Sequence, residues 1–236
     1  MSIQVICLAS FGQTTVYAGH QTPVLSAVDS ARRQGVPEEI LTRLLAYALD
    51  NQLGADHTVH ILTILISVRE SQFSLNPFLD KIQEGLAKQI DPKRLEDGLN
   101  KRLDDYKFVS QLLKKKYSGS RRLYSENDLT DLVESIEFGI TRQELRLLFS
   151  RAPDVAPEML TVAAKNKALL KQLAFDDSII DDILFTGLIN QSLTPQWSLF
   201  FKVASAARQK GISSTRIAEV AKDVLIQNGD LKQVLR

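Results

Sequence analysis

The sequence predicts an all-α protein of stacked helical hairpins, an irregular solenoid or bundle array in two related halves. Three patterns predict it: prolines that follow good capping residues, glycines placed where an apolar period stops, and no apolar alternation between hairpin turns. Proline in a helix interior costs about 3 kcal/mol, whereas at the first helical position its missing N–H is no loss. Thr22-Pro23, Asn76-Pro77, Asp91-Pro92 and Thr194-Pro195 therefore each read as an N-cap followed by a first turn.

Taken in order, the first helix opens at Thr22-Pro23 and stops at Gly35. Val36 packs back on its last turn and Pro37 opens the next helix, where Ile40, Leu44 and Ala48 join Leu41, Leu45 and Leu49 on one wide apolar face. Asp56 reads as the N-cap of a third helix and Asn76 as that of a fourth. Asp91 starts a long helix over Pro92 to about Lys116, striped by Leu99, Leu103, Tyr106 and Leu113. Ser125 is a further N-cap. Gly139 with Ile140 ends one helix, and Thr141 with Glu144 has capping-box spacing for the next. Thr194 opens another, Gly211 with Ile212 closes it, and Ser213 starts the last, which carries Ile217, Val220, Ala221, Val224 and Leu225. About ten or eleven helices result.

The 236 residues are enough for one large domain or two smaller ones. Lys and Arg number 29 against 28 Asp and Glu, a net charge of +1, so no global field draws the chain to nucleic acid or a membrane surface. Hydrophobic residues at 44% and charged residues at 24% are the balance of a globular protein. One cysteine, Cys7, excludes an intramolecular disulfide and a cysteine metal cluster.

The predicted organisation is a tail or signal-peptide remnant over 1–20, a first helical half over 21–116, a basic Gly-Ser connection over 117–124 and a second half over 125–236. Residues 3–11 are a short apolar run, and small residues at Val16 and Ala18 suit a signal peptidase, although no Lys or Arg precedes the run. Export to the periplasm and a cytoplasmic location both stay open. No other stretch approaches the ~18 apolar residues of a membrane span. Duplication is expected from three matches: 31–36 with 207–212, 74–77 with 192–195, and 88–95 with 210–217.

Asn76-Pro77-Phe78, Lys81, Glu84-Gly85-Leu86-Ala87-Lys88 and, later, Lys210-Gly211-Ile212 with Arg216-Ile217 resemble a recurring EGLAKG-V-P-x-x-R-I element of uncharacterised, often exported, all-helical bacterial proteins. Gln89 stands where that element has glycine, and no Glu-Gly pair precedes Lys210. The resemblance implies a helical repeat protein and export, and it implies no activity.

Three constellations carry candidate chemistry. His57 and His60 share a helix face beside Asp56, as two metal ligands would, but His20 is the only other histidine, so the expectation is helix histidines with no metal. Asp176, Asp177, Asp181 and Asp182 place four carboxylates together without EF-hand spacing, which favours a capped, solvated helix face over acid–base or cation chemistry. Lys114, Lys115, Lys116, Arg121 and Arg122, interleaved with Tyr117 and followed by Tyr124, form the densest basic segment and a candidate polyanion contact, with a solvated linker as the simpler account. Trp197, Phe175, Phe185, Phe200 and Phe201 are expected in the core. No GxSxG, P-loop or GxGxxG pattern is present.

The functional expectation is a non-enzymatic protein without cofactor whose stacked helices hold a protein or peptide partner. Two alternatives remain: a hydrolase of an envelope polymer with acidic residues in a cleft between the halves, and a polyanion-binding module using residues 114–122.

Overall fold

The computed structural model describes residues 15–51, 53–118, 123–152, 154–229 and 231. These residues form helices and turns, with no strand among them. The helices are α1 (Thr15–Arg33), α2 (Glu38–Asp50), α3 (Ala55–Glu70), α4 (Asn76–Ala87), α5 (Pro92–Tyr117), α6 (Glu126–Glu137), α7 (Arg142–Arg151), α8 (Pro157–Gln172), α9 (Asp177–Ile189), α10 (Phe200–Gln209) and α11 (Ser214–Ile226). A 3-10 helix, Pro195–Leu199, precedes α10. The chain forms two compact units, Met1–Leu103 and Asp104–Arg236, and the division falls inside α5.

In unit 1, α1 packs on α3 and α2, and α2 packs on α4. Leu41, Leu44, Ile61, Leu62, Phe78 and Leu79 are fully buried there because each lies on the inward stripe of its helix. In unit 2, α8 is central: it meets α6, α7, α9, α10 and the 3-10 helix, while α9 packs on α11. Trp197 and Phe200 are buried with ring centroids 5.4 Å apart, and Phe175 is buried under Arg208. Phe185 and Phe201 are half-buried. Asn166 of α8 is wholly enclosed and donates to the carbonyls of Val162 and Trp197, which ties the 3-10 helix to α8.

One terminator recurs. Gly35, Gln72, Gln89, Gly139, Ala174, Gln191, Gly211 and Asn228 all have positive φ. At each, the following N–H reaches back five residues, as Val36 to Ala31, Ile90 to Gly85 and Phe175 to Leu170. This is the Schellman arrangement, which satisfies the orphan carbonyls of the last turn. Sequence reading found the three glycine examples and missed the five built on other residues.

Helices α6 to α9 follow the order of α1 to α4, and the first, third and fourth pairs end in the same left-handed cap. Gly35 corresponds to Gly139, Phe73 to Phe175, Gly85-Leu86 to Gly187-Leu188, and Gln89 to Gln191. This register differs from the one expected from the sequence, which set Gly35 opposite Gly211. The short matches around Gly211 are cap chemistry, since Gly211 leads into the last helix, whereas Gly35 and Gly139 each open a three-helix series. Both repeated glycines mark close approaches. A Cβ on Gly85 would lie 2.7 Å from Leu95 Cδ1, and one on Gly187 would lie 2.6 Å from Leu193 Cγ.

Three predicted helix starts need correction. Pro23 lies inside α1, which begins at Thr15, so Thr22 is no cap. Asn76 is the first helical residue of α4, behind Leu75, and makes no capping bond. Gly54, not Asp56, is the N-cap of α3. Thr194 is the N-cap of the 3-10 helix with Pro195 in its first turn, as expected, but its hydroxyl makes no hydrogen bond. The other starts hold: Asp91 accepts from the Arg94 N–H, Ser213 from that of Arg216, and Ser125 and Thr141 form capping boxes with Asp128 and Glu144.

Candidate functional site

His57 and His60 meet a third residue that sequence reading overlooked. Their Nδ1 atoms lie 2.6 and 3.4 Å from the two carboxylate oxygens of Glu96, on the second turn of α5. Lys93 Nζ adds a contact at 3.6 Å. Glu96 is 3% exposed, a carboxylate on the face that continues through Leu99 and Leu103. Burial pushes its carboxyl up, the two histidines hold it down, and the net result lies below the ordinary range. The cluster clasps the starts of α3 and α5. Among the described residues, no group of three or more His, Cys, Asp or Glu side chains is placed to hold a metal ion. A charge on the core face of the α5 stripe was the available signal for Glu96.

The acidic run of α9 is consumed by lysines. Asp181 pairs with Lys167, whose side chain is 3% exposed, and Asp182 pairs with Lys222. Lys171 stands 3.8 Å from Asp177 and 2.7 Å from Glu144, while Lys167 is also 3.6 Å from Glu144. Asp176 is the N-cap of α9. Burial raises the Glu144 carboxyl, but the Lys171 ammonium and the Thr141 cap outweigh it and hold it at about 2. The arrangement is an ion-pair network joining α7, α8 and α9. A further pair, the buried Asp105 with the exposed Arg142 at 2.6 Å, joins α5 to α7.

The basic segment divides by role. Lys114 and Lys115 are exposed on α5. Lys116 turns inward, and its ammonium donates to the carbonyls of Phe149 at 3.0 Å and Ala152 at 2.5 Å, closing the C-terminal end of α7. Burial lowers the pKa of Lys116, against the charge of Asp154, which raises it. The Tyr117 hydroxyl donates to Val155 O at 2.9 Å. Lys116 and Tyr117 are thus held by the fold. Arg121 and Arg122 lie outside the described residues.

Two clefts occupy matching turns. In unit 1 a cleft of about 420 Å³ is lined by Asp50, Asn51 and Leu53 after α2, and by Leu86, Gln89, Ile90, Asp91 and Pro92 between α4 and α5. In unit 2 a cleft of about 220 Å³ is lined by Arg151, Ala152, Asp154 and Val155 after α7, and by Leu188, Ile189 and Gln191 at the end of α9. Asp50 corresponds to Asp154, Leu53 to Val155, Leu86 to Leu188 and Gln89 to Gln191. The loop after α2 is two residues longer between the matched positions. Exposed apolar residues sit in each: Ile90 at 40% and Ile189 at 76%. Sequence reading missed both clefts because their walls come from turns some forty residues apart.

The fold and these clefts define an all-α repeat protein with a shallow, partly apolar site at an interhelical turn of each unit. No helix among the described residues is long and apolar enough to cross a membrane. Compared with known proteins, the chain matches no family model, no curated protein and no solved structure.

Proposed function

We propose that this chain is a non-enzymatic helical-repeat protein that binds a protein or peptide partner. The observation that carries the reading is the pair of clefts at corresponding turns, each combining an aspartate, a glutamine and buried leucine with an exposed isoleucine. Clefts of this size accept a few side chains of a partner segment, with apolar contact for affinity and a few polar groups for orientation. The candidate reactive groups support the same reading, because Glu96, Glu144, Asp181 and Asp182 are engaged by histidines or lysines that bind helices together. Selection of a displayed peptide library on the full chain tests it. The expected result is peptides whose binding falls about tenfold in Ile90→Glu or Ile189→Glu, since a carboxylate placed in an apolar contact is unpaired. A selection that yields no saturable binder, or binders indifferent to both substitutions, overturns it.

A further inference from the structure

The two clefts share an aspartate and differ in what meets it. In unit 2, Asp154 lies in a wall that also carries Arg151, and its charge acts on Lys116, which is anchored on Ala152 of that wall. In unit 1, Asp50 makes no ion pair among the described residues, and Asp91 lines the same cleft. Among the described residues, no basic side chain lines this larger cleft. Its remaining walls are apolar, with Leu53, Leu86, Ile90 and Pro92, and Leu49 beside it is 80% exposed.

We infer that the unit 1 cleft is the docking site for a segment of a partner protein that presents a lysine or arginine next to an apolar side chain. The cation meets Asp50 and Asp91, and the apolar neighbour covers Ile90 and Leu86. The shared positions of the clefts support the assignment: where the wall carries its own cation, as Arg151 does in unit 2, the cleft is about half the volume, and where none of the described lining residues is basic the exposed Asp50 and Asp91 make no ion pair among the described residues. A basic side chain suits the site for a second reason. Its methylene stem lies along apolar surface while its charged head stays at the rim, which matches carboxylates placed around a leucine floor. Asp91 keeps acceptor capacity for this, since only one of its oxygens accepts the Arg94 N–H.

This inference rests on the binding reading above, and the test separates the two. Three labelled octapeptides, identical except for a central Leu-Lys, Leu-Glu or Leu-Gln pair, are titrated against the full chain by fluorescence anisotropy. The Leu-Lys peptide is expected to bind about tenfold more tightly than the Leu-Glu peptide, with the preference shrinking as salt rises. The double variant Asp50→Asn, Asp91→Asn removes the preference, and asparagine at 91 still caps α5, so the helix is retained. Asp154→Asn leaves the preference in place. A preference that survives the double variant, or equal binding of all three peptides, overturns the inference. Equal binding that Ile90→Glu abolishes does so while sustaining the broader reading. If none of the octapeptides binds, the inference falls, and the library selection decides the broader reading independently.

Discussion

At one matched pair of positions unit 1 places the buried Leu65 and Leu79, and unit 2 places the buried Lys167 and the half-buried Asp181. The helices that carry them, α3 with α4 and α8 with α9, follow the same order and end in the same caps. One architecture is thus held by apolar burial in the first unit and by an ion pair on a buried lysine, extended through Glu144 and Lys171, in the second. The fold tolerates either chemistry because capping and turn geometry set the path of the chain. Side-chain chemistry then sets how each unit responds to solvent conditions. Burying a charge is costly unless its partner is in place, so unit 2 carries a conditional stability that these leucine positions do not impose on unit 1.

The strongest way to break the comparison is to remove one partner. Asp181→Leu leaves the Lys167 ammonium buried with Glu144 alone at 3.6 Å, and about 3 kcal/mol of unit 2 stability is lost. The double variant Lys167→Leu, Asp181→Leu, which places leucine at both positions as in unit 1, recovers most of that loss. Urea unfolding followed by Trp197, the single tryptophan, reads unit 2 directly. A double variant no more stable than the single one would show that the two units do not share this packing.

A close second is the glycine floor of the matched turns. Gly187→Ala places a Cβ 2.6 Å from Leu193 Cγ and 3.0 Å from Leu225 Cδ2, which costs about 2 kcal/mol by overpacking. Gly85→Ala meets only the tip of Leu95, at 2.7 Å from Cδ1, and rotation of that side chain reduces the cost to about 1 kcal/mol. Equal shifts of the unfolding midpoints would erase this distinction between the units.

Acid sharpens the comparison further. The Glu144 carboxyl is held at about 2 in the folded protein against 4.5 as its ordinary value, so its contribution to stability is complete above pH 4.5 and declines as pH falls toward 2. Glu96 in unit 1 is also held below 4.5, and its contribution is lost in the same direction. Chemical unfolding monitored by Trp197 between pH 6 and pH 2.5 is expected to show unit 2 weakening, and Glu144→Gln flattens that dependence.

The smallest effects lie in the caps. Ala174 and Gly139 both have positive φ, but only the glycine adopts it without strain. Ala174→Gly is expected to stabilise unit 2 by about 1 kcal/mol, and Gly139→Ala to destabilise it by a similar amount, because no atom crowds a Cβ at that position. Thermal unfolding of the two variants should move in opposite directions.

The helix class, the long α5, the capping box at Thr141 and the N-cap at Ser125 were legible because they depend on neighbours within a few residues. Reading failed where a local signal had a stronger competitor. Pro23 follows a good capping residue yet lies inside α1, and Asn76 precedes a proline yet falls one residue inside α4. Gln72, Gln89 and Gln191 end helices without the glycine that marks such ends. His57 and His60 were visible as a pair, but Glu96, 39 residues beyond His57, was not.

By itself, then, the sequence determined the elements: capping, helical period and chain-breaking residues act over one or two turns, and the chain carries them in clear form. Tertiary structure alone decided which charges neutralise one another, that Lys116 faces inward, that the repeat runs from Gly35 to Gly139, and that two turns remote in the chain enclose a cleft around Asp50. The physical reason is range. Local hydrogen bonding is written in adjacent residues, whereas burial and ion pairing belong to surfaces that exist only after the helices have packed.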